Sequence, residues 1–173
     1  MAALVGAPLA AGCTAPGAAS PSGGGAGSAG TTAPDFTART VDGSNFRLSS
    51  HLGKQVVLLD FMATFCEPCK AELPQLRAIY DRHEAEGLLV VGVAMDGPET
   101  VADVPAFVRR FELGFPVVLD QDSSIASRYD PRKSMPFSVL IDRSGRIVRE
   151  REGYDPGDEK LVEADVEKAL ATR

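Results

Sequence analysis

Cys66 and Cys69 stand three positions apart at the point where one hydrophobic pattern ends and another begins. Before them, Val56-Val57-Leu58-Leu59 is a continuous, partly β-branched apolar run ending in Asp60-Phe61. Such a run reads as a strand buried on both faces, in the middle of an α/β sheet. After them, Leu73, Leu76, Ile79 and Tyr80 recur at helical spacing to about Glu86, and Gly87 stops the helix. Leu88 to Ala94 is a second apolar run, so the stretch is a βαβ unit with parallel strands and a right-handed crossover.

A second helix is expected from about Glu99 to Phe111, where Val101, Val104, Val108 and Phe111 form one stripe. A short strand from Phe115 to Leu119 then adds a third parallel member. Phe137 to Asp142 and Arg146 to Glu150 flank Arg143-Ser144-Gly145, a hairpin turn, so the order changes there from parallel to antiparallel. Glu159 to Leu170 supplies a last amphipathic helix with Leu161, Val162, Val166 and Leu170 as its apolar face. Phe36 to Arg39 and Phe46 to Leu48, around Asp42-Gly43, form a small leading hairpin. The sum, over residues 35–173, is an α/β domain: a mixed central sheet with helices on both faces and an N-terminal β-hairpin extension. No internal repeat is visible.

A cysteine at a helix N-terminus meets unpaired backbone N–H groups and the positive end of the helix dipole, and both favour its thiolate. A thiolate is the nucleophile of thiol–disulfide exchange. Cys69, at i+3 on the same helical face, is close enough to close a disulfide. Pro68 is tolerated in the first turn because its missing N–H has no helical partner there. The same C-x-x-C spacing is half of a zinc site, which needs two further ligands. The chain offers Cys13, far upstream, and His51 and His83, which show no paired ligand spacing. The pair therefore reads as redox-active, with no metal and no cofactor beyond the Cys66–Cys69 couple.

The segment Asp60-Phe61-Met62-Ala63-Thr64-Phe65-Cys66-Glu67-Pro68-Cys69-Lys70-Ala71-Glu72-Leu73-Pro74 resembles the active-site region of thioredoxin-like thiol:disulfide oxidoreductases of the TlpA/ResA type. The likeness covers about residues 34 to 170. Phe115-Pro116-Val117-Val118-Leu119-Asp120, Ala126 and Tyr129, Met135-Pro136 and Leu140-Ile141-Asp142-Arg143-Ser144-Gly145 follow in the order that family shows. The resemblance implies a thioredoxin-like fold in which Pro136 is a cis-proline facing the cysteines and Met135 offers backbone groups to an extended substrate segment. Phe65, Glu67 and Pro68 belong to the same expected substrate surface. Pro74 matches the family's helix-kinking proline and reads locally as a bend. Met62 and Phe65 stand where the family usually carries tryptophan or another large aromatic, and the chain has no tryptophan. Substrate contact near Cys66 is thus expected to differ from the family, while the exchange chemistry is not.

Two carboxylates compete for one role. Asp60 matches the buried aspartate of thioredoxins proper, and Glu72 the glutamate near the pair in ResA-type proteins. Burial raises the pKa of either and suits it to take the proton of Cys69. A solvated strand end and an exposed helix residue are the respective alternatives.

Residues 1 to 34 contain no Asp, Glu, Lys or Arg, whereas everything from Asp35 onward is richly charged. Leu9-Ala10-Ala11-Gly12-Cys13 puts small residues before a cysteine and resembles the lipobox of a bacterial lipoprotein signal, which makes residues 1–13 a signal segment and Cys13 the lipidated residue. No Lys or Arg precedes the apolar stretch, so an Ala/Gly-rich leader with an incidental cysteine is the competing reading. Residues 14–34, almost entirely Ala, Gly, Ser, Thr and Pro, read as a flexible tether. The net charge of −6 and the lack of any Lys/Arg-rich run argue against nucleic acid as a partner.

The expected function is reduction of disulfides in extracytoplasmic or periplasmic proteins by a monomer held to the membrane through a lipid anchor. Glu67-Pro68 resembles the spacer of reducing members. The resemblance further implies a membrane-embedded thiol reductant that recharges the couple, and brings cytochrome c maturation into range. Two rivals fit parts of the sequence. A thioredoxin-fold peroxidase would use Thr64, two residues before Cys66, although peroxidases usually place Thr three residues ahead and need an arginine. A tethered copper chaperone would use the soft thiolates for Cu(I), although such proteins want a wider spacing and a partner histidine.

Overall fold

The computed structural model describes residues 1–2 and 30–172. Cys13 and the tether up to residue 29 lie outside the described residues. Five strands form the central sheet: β3 (Val56–Met62), β4 (Leu88–Ala94), β5 (Val117–Leu119), β6 (Phe137–Ile141) and β7 (Ile147–Glu152), in the order β5-β4-β3-β6-β7. β3, β4 and β5 are parallel, and β6 and β7 run antiparallel. β1 (Thr37–Arg39) and β2 (Asn45–Arg47) make the separate leading hairpin. The helices are α1 (Glu67–His83), α2 (Val104–Arg110), α3 (Ala126–Tyr129) and α4 (Glu159–Ala171). This is the thioredoxin-like architecture.

Every residue of β3 and β4 is buried, as their unbroken apolar runs require. Two cores lie on opposite faces of the sheet. Val56, Leu58 and Met62 pack with Leu73, Leu76 and Ile79 of α1, Phe107 of α2 and Val166 of α4. Val57, Leu59 and Phe61 pack with Phe36, Phe46 and Tyr129 on the other side. The two-residue alternation along β3 therefore points Asp60 to the α1 and α4 face. Gly92 of β4 marks a close approach, since a Cβ there would lie 2.9 Å from Met62 Cε and 3.2 Å from Val117 Cγ2.

Several boundaries differ from the sequence reading. The second helix starts at Val104 after a 3₁₀ turn at Val101–Asp103, instead of at Glu99. Pro105 sits in its first turn, and a helix begun earlier would set the proline ring against the carbonyl four residues before it. β5 begins at Val117 because Pro116 has no N–H to give the ladder, although its carbonyl still accepts from Gly92 N at 3.0 Å. Leu161 is exposed, and the buried stripe of α4 is Val162, Val166 and Ala169. α3 has no counterpart in the hydrophobic pattern. It is started by the Asp120 carboxylate, which accepts from Ile125 N at 3.0 Å and Ala126 N at 2.8 Å.

The last residues of the compositional tether are built into the domain. Gly30 N donates to Ile147 O at 2.6 Å, Ala33 N donates to Gly145 O at 2.9 Å, and Thr32 bridges Arg146. β7 is a sheet edge with free backbone groups, and these pair with any extended backbone whatever its side chains.

Candidate active site

α1 begins where β3 ends, so the turn Ala63-Thr64-Phe65 carries the chain directly from the sheet centre to the helix N-terminus. Cys66 is the N-cap of α1, with extended backbone, and its Sγ accepts from Cys69 N at 3.2 Å. Pro68 falls in the first turn. Cys66 and Cys69 form a disulfide, with S–S 2.02 Å and Cα–Cα 5.3 Å. Cys66 is 7 % exposed and Cys69 only 1 %, so the first cysteine is the less enclosed of the two.

Phe65 is 56 % exposed immediately before Cys66, an apolar side chain left open beside the reactive sulfur. Glu67 and Pro68 are also exposed. Lys70 Nζ contacts Glu67 at 2.6 Å, an exposed pair that contributes little to stability. The Met135-Pro136 peptide bond is cis. β6 starts at Phe137, which pairs with Phe61 near the end of β3, so Pro136 lies at the same end of the strands as the turn before Cys66. Neither backbone polar group of Met135 has a partner among the described residues.

α1 turns Cys69, Glu72, Leu73 and Leu76 inward. Asp60 is 1 % exposed and Glu72 5 %. Both Asp60 oxygens and Glu72 Oε2 are buried without a hydrogen-bond partner. Loss of hydration pushes the Asp60 carboxyl well above the usual range. The same desolvation raises Glu72, reinforced by the negative charges of Asp60 and Asp158. Neither residue is the solvated group that its alternative reading described. Pro74 lies inside α1, which runs unbroken to His83.

One residue of the site escaped the sequence reading. Asp96, 1 % exposed and two residues beyond β4, accepts from Thr64 N at 3.1 and 3.3 Å and from Thr64 Oγ1 at 2.5 Å. A single acid closing an apolar strand was its only signal, the same signal that marks Asp60. The Thr64 hydroxyl is thereby committed to a carboxylate.

The histidines stand apart from the cysteines. His51 stacks on Phe46, and His83 lies at the opposite end of α1 with Glu163 and Glu167, where Arg82 already pairs with Glu163 at 2.6 Å.

A C-x-x-C disulfide at a helix N-cap, a cis-proline at the same end of the strands and two buried, unpartnered acids, one of them three residues after Cys69, make up a dithiol exchange site. The AhpC/TSA family matches residues 29–150. The chain belongs to this family. Among its relatives, the thiol-disulfide oxidoreductase ResA of Bacillus thuringiensis is 33 % identical over 124 residues, covering 72 % of this chain and 69 % of that protein. The crystal structure of a Chlorobium tepidum protein described as thiol:disulfide interchange protein DsbE matches with TM-score 0.75 and 32 % identity, over 83 % of this chain and 98 % of that one. A secreted disulfide oxidoreductase of Mycobacterium tuberculosis matches with TM-score 0.65 and 26 % identity, over 77 % and 95 %. This AhpC/TSA member is a thiol:disulfide oxidoreductase with disulfide-containing proteins as its substrates.

Proposed function

We propose that this oxidoreductase works as a reductase outside the cytoplasm, with Cys66 as nucleophile and Cys69 as resolving thiol. The observation that carries the assignment is the asymmetry of the pair: Cys66 is the more exposed residue and caps the helix, while Cys69 is almost fully buried on α1, three residues before the buried acid Glu72. The Cys66 thiolate attacks a substrate disulfide, forming Cys66–S–S–R and releasing the other substrate sulfur as a thiolate. Asp60 or Glu72 accepts the Cys69 proton, and the Cys69 thiolate attacks Cys66 Sγ. The Cys66–Cys69 disulfide forms, and the substrate leaves with two electrons. No cofactor is needed beyond the dithiol.

Phe65, Glu67, Pro68, Met135 and Pro136 form the substrate surface, the free backbone groups of Met135 being suited to pair with an extended segment around the target disulfide. A membrane-embedded thiol reductant reduces the couple again, and the domain acts as a monomer. The uncharged residues 1–34 and the secreted character of the Mycobacterium tuberculosis protein support an extracytoplasmic setting. Cys13 is the proposed point of lipid anchorage. No helix of the described residues is long and apolar enough to cross a membrane.

The reduction potential of the Cys66–Cys69 couple tests the direction. A value near the reducing end of the dithiol range, about −270 mV, is expected, and one near about −120 mV would make the protein an oxidant.

A further inference from the structure

We infer that Asp96 is a positioning residue for Cys66, acting through Thr64. The inference rests on the assignment of Cys66 as the nucleophile. Cys66 reaches its N-cap position only through the turn that leaves β3. Two backbone bonds shape that turn: Met95 N donates to Met62 O at 2.8 Å, and Cys66 N donates to Ala63 O at 3.1 Å. Between them stands Thr64, whose N–H and hydroxyl both donate to the one buried carboxylate of Asp96. Asp96 follows β4, the parallel neighbour of β3. The turn before the nucleophile is therefore tied to the sheet by a side chain as well as by the ladder.

The tie matters most in the reduced enzyme. In the disulfide, Cys66 is held covalently to Cys69 on the first turn of α1. Reduction removes that bond, and the Cys66 sulfur must stay at the N-cap, facing the helix N–H groups, to keep its thiolate stabilised. Hydrogen bonds to a charged acceptor are worth more than neutral ones, and here two converge on one residue two positions before the sulfur. Asp96 thus holds the reduced turn in its attacking geometry. The hydroxyl of Thr64 works as a strut, where the sequence alone suggested a peroxidase threonine.

The test is the pH profile of iodoacetamide labelling in the full-length reduced protein, with the labelled cysteine mapped by mass spectrometry. Thr64→Val keeps shape and the backbone N–H but loses the hydroxyl, and Asp96→Ala removes the whole tie. The other ionisable groups around the pair, Glu67 and Lys70 in the first turn and Asp60 and Glu72 beneath it, are unchanged in both variants. The midpoint of Cys66 labelling should rise by about one pH unit, and reduction of a protein disulfide should slow about tenfold. Thr64→Ser, which restores the donor, should return the midpoint to that of the wild type. Should Asp96→Ala fail to fold, the Thr64 pair still decides. A fall in melting temperature with an unchanged midpoint would reduce Asp96 to a structural role and overturn the proposal. A lowered midpoint would overturn it as well, because Asp96 would then be acting as a charge opposed to the thiolate. Label appearing first on Cys69 in the wild type would overturn the nucleophile assignment itself, an outcome distinguishable from the other two.

Discussion

Asp60 on β3 and Glu72 on α1 interact electrostatically, and three of their four carboxyl oxygens are buried without a hydrogen-bond partner. Desolvation raises both acids, and the charge of Asp60 raises Glu72 further, so the two resist being ionised together. The arrangement favours one shared charge, which lets the pair hold a proton at neutral pH that an exposed carboxyl would have lost.

Stability should follow from the sign of these shifts. Both folded-state values lie above the unfolded ones, so the folded protein binds more protons, and stability is fullest below about pH 4 as far as these two groups are concerned. It is lost as pH rises through the folded values. Asp60→Asn and Glu72→Gln should therefore stabilise the oxidised protein at pH 8 by on the order of 2 kcal/mol, and by little at pH 4. Thermal melts at the two pH values check this.

The same acids should control resolution of the mixed disulfide. Glu72→Gln or Asp60→Asn should slow attack by Cys69 about 10- to 100-fold and leave the first attack by Cys66 largely intact. Rapid mixing with a disulfide substrate, followed by acid quench, would show mixed disulfide accumulating. The variant with the larger accumulation identifies the acceptor of the Cys69 proton.

Phe65 is the exposed apolar neighbour of Cys66. Phe65→Ala should weaken reduction of protein disulfides about tenfold in kcat/KM, through contact area lost to the substrate. A small symmetrical disulfide reagent, which cannot span that surface, should react at nearly the wild-type rate.

Gly92→Ala should destabilise the domain by about 1 to 3 kcal/mol, since the new methyl meets Met62 and Val117. Chemical denaturation measures it. Met62→Ala in the same chain should relieve part of the cost, as the nearest clash is with the flexible end of that side chain.

The elements legible in the sequence were those whose burial is one-sided or complete. β3, β4 and α1 declared themselves through runs and stripes that only one geometry can bury, and the cysteine pair followed from its place at their junction. What stayed hidden depends on polar groups meeting across the chain. Asp96 reaches Thr64 over 32 positions of sequence, and nothing in either neighbourhood announces the contact. α3 buries Ala126 and Tyr129 but is too short to show a helical period, and its start is set by Asp120; Gly30 to Ala33 are held by backbone pairing to which composition is blind. Asp60 is the intermediate case: an acid at the end of an apolar strand was visible, but its meeting with Glu72 depended on which of the two buried faces the alternation would turn toward α1.

The most direct measurement compares Cys66→Ser with Cys69→Ser on one disulfide-bonded protein substrate, with products resolved by non-reducing mass spectrometry. Cys69→Ser should accumulate a covalent enzyme–substrate disulfide through Cys66 and turn over no further. Cys66→Ser should form no adduct and reduce nothing. Turnover by Cys66→Ser, or an adduct mapped to Cys69 in the wild type, would contradict the assignment of Cys66 as the nucleophile.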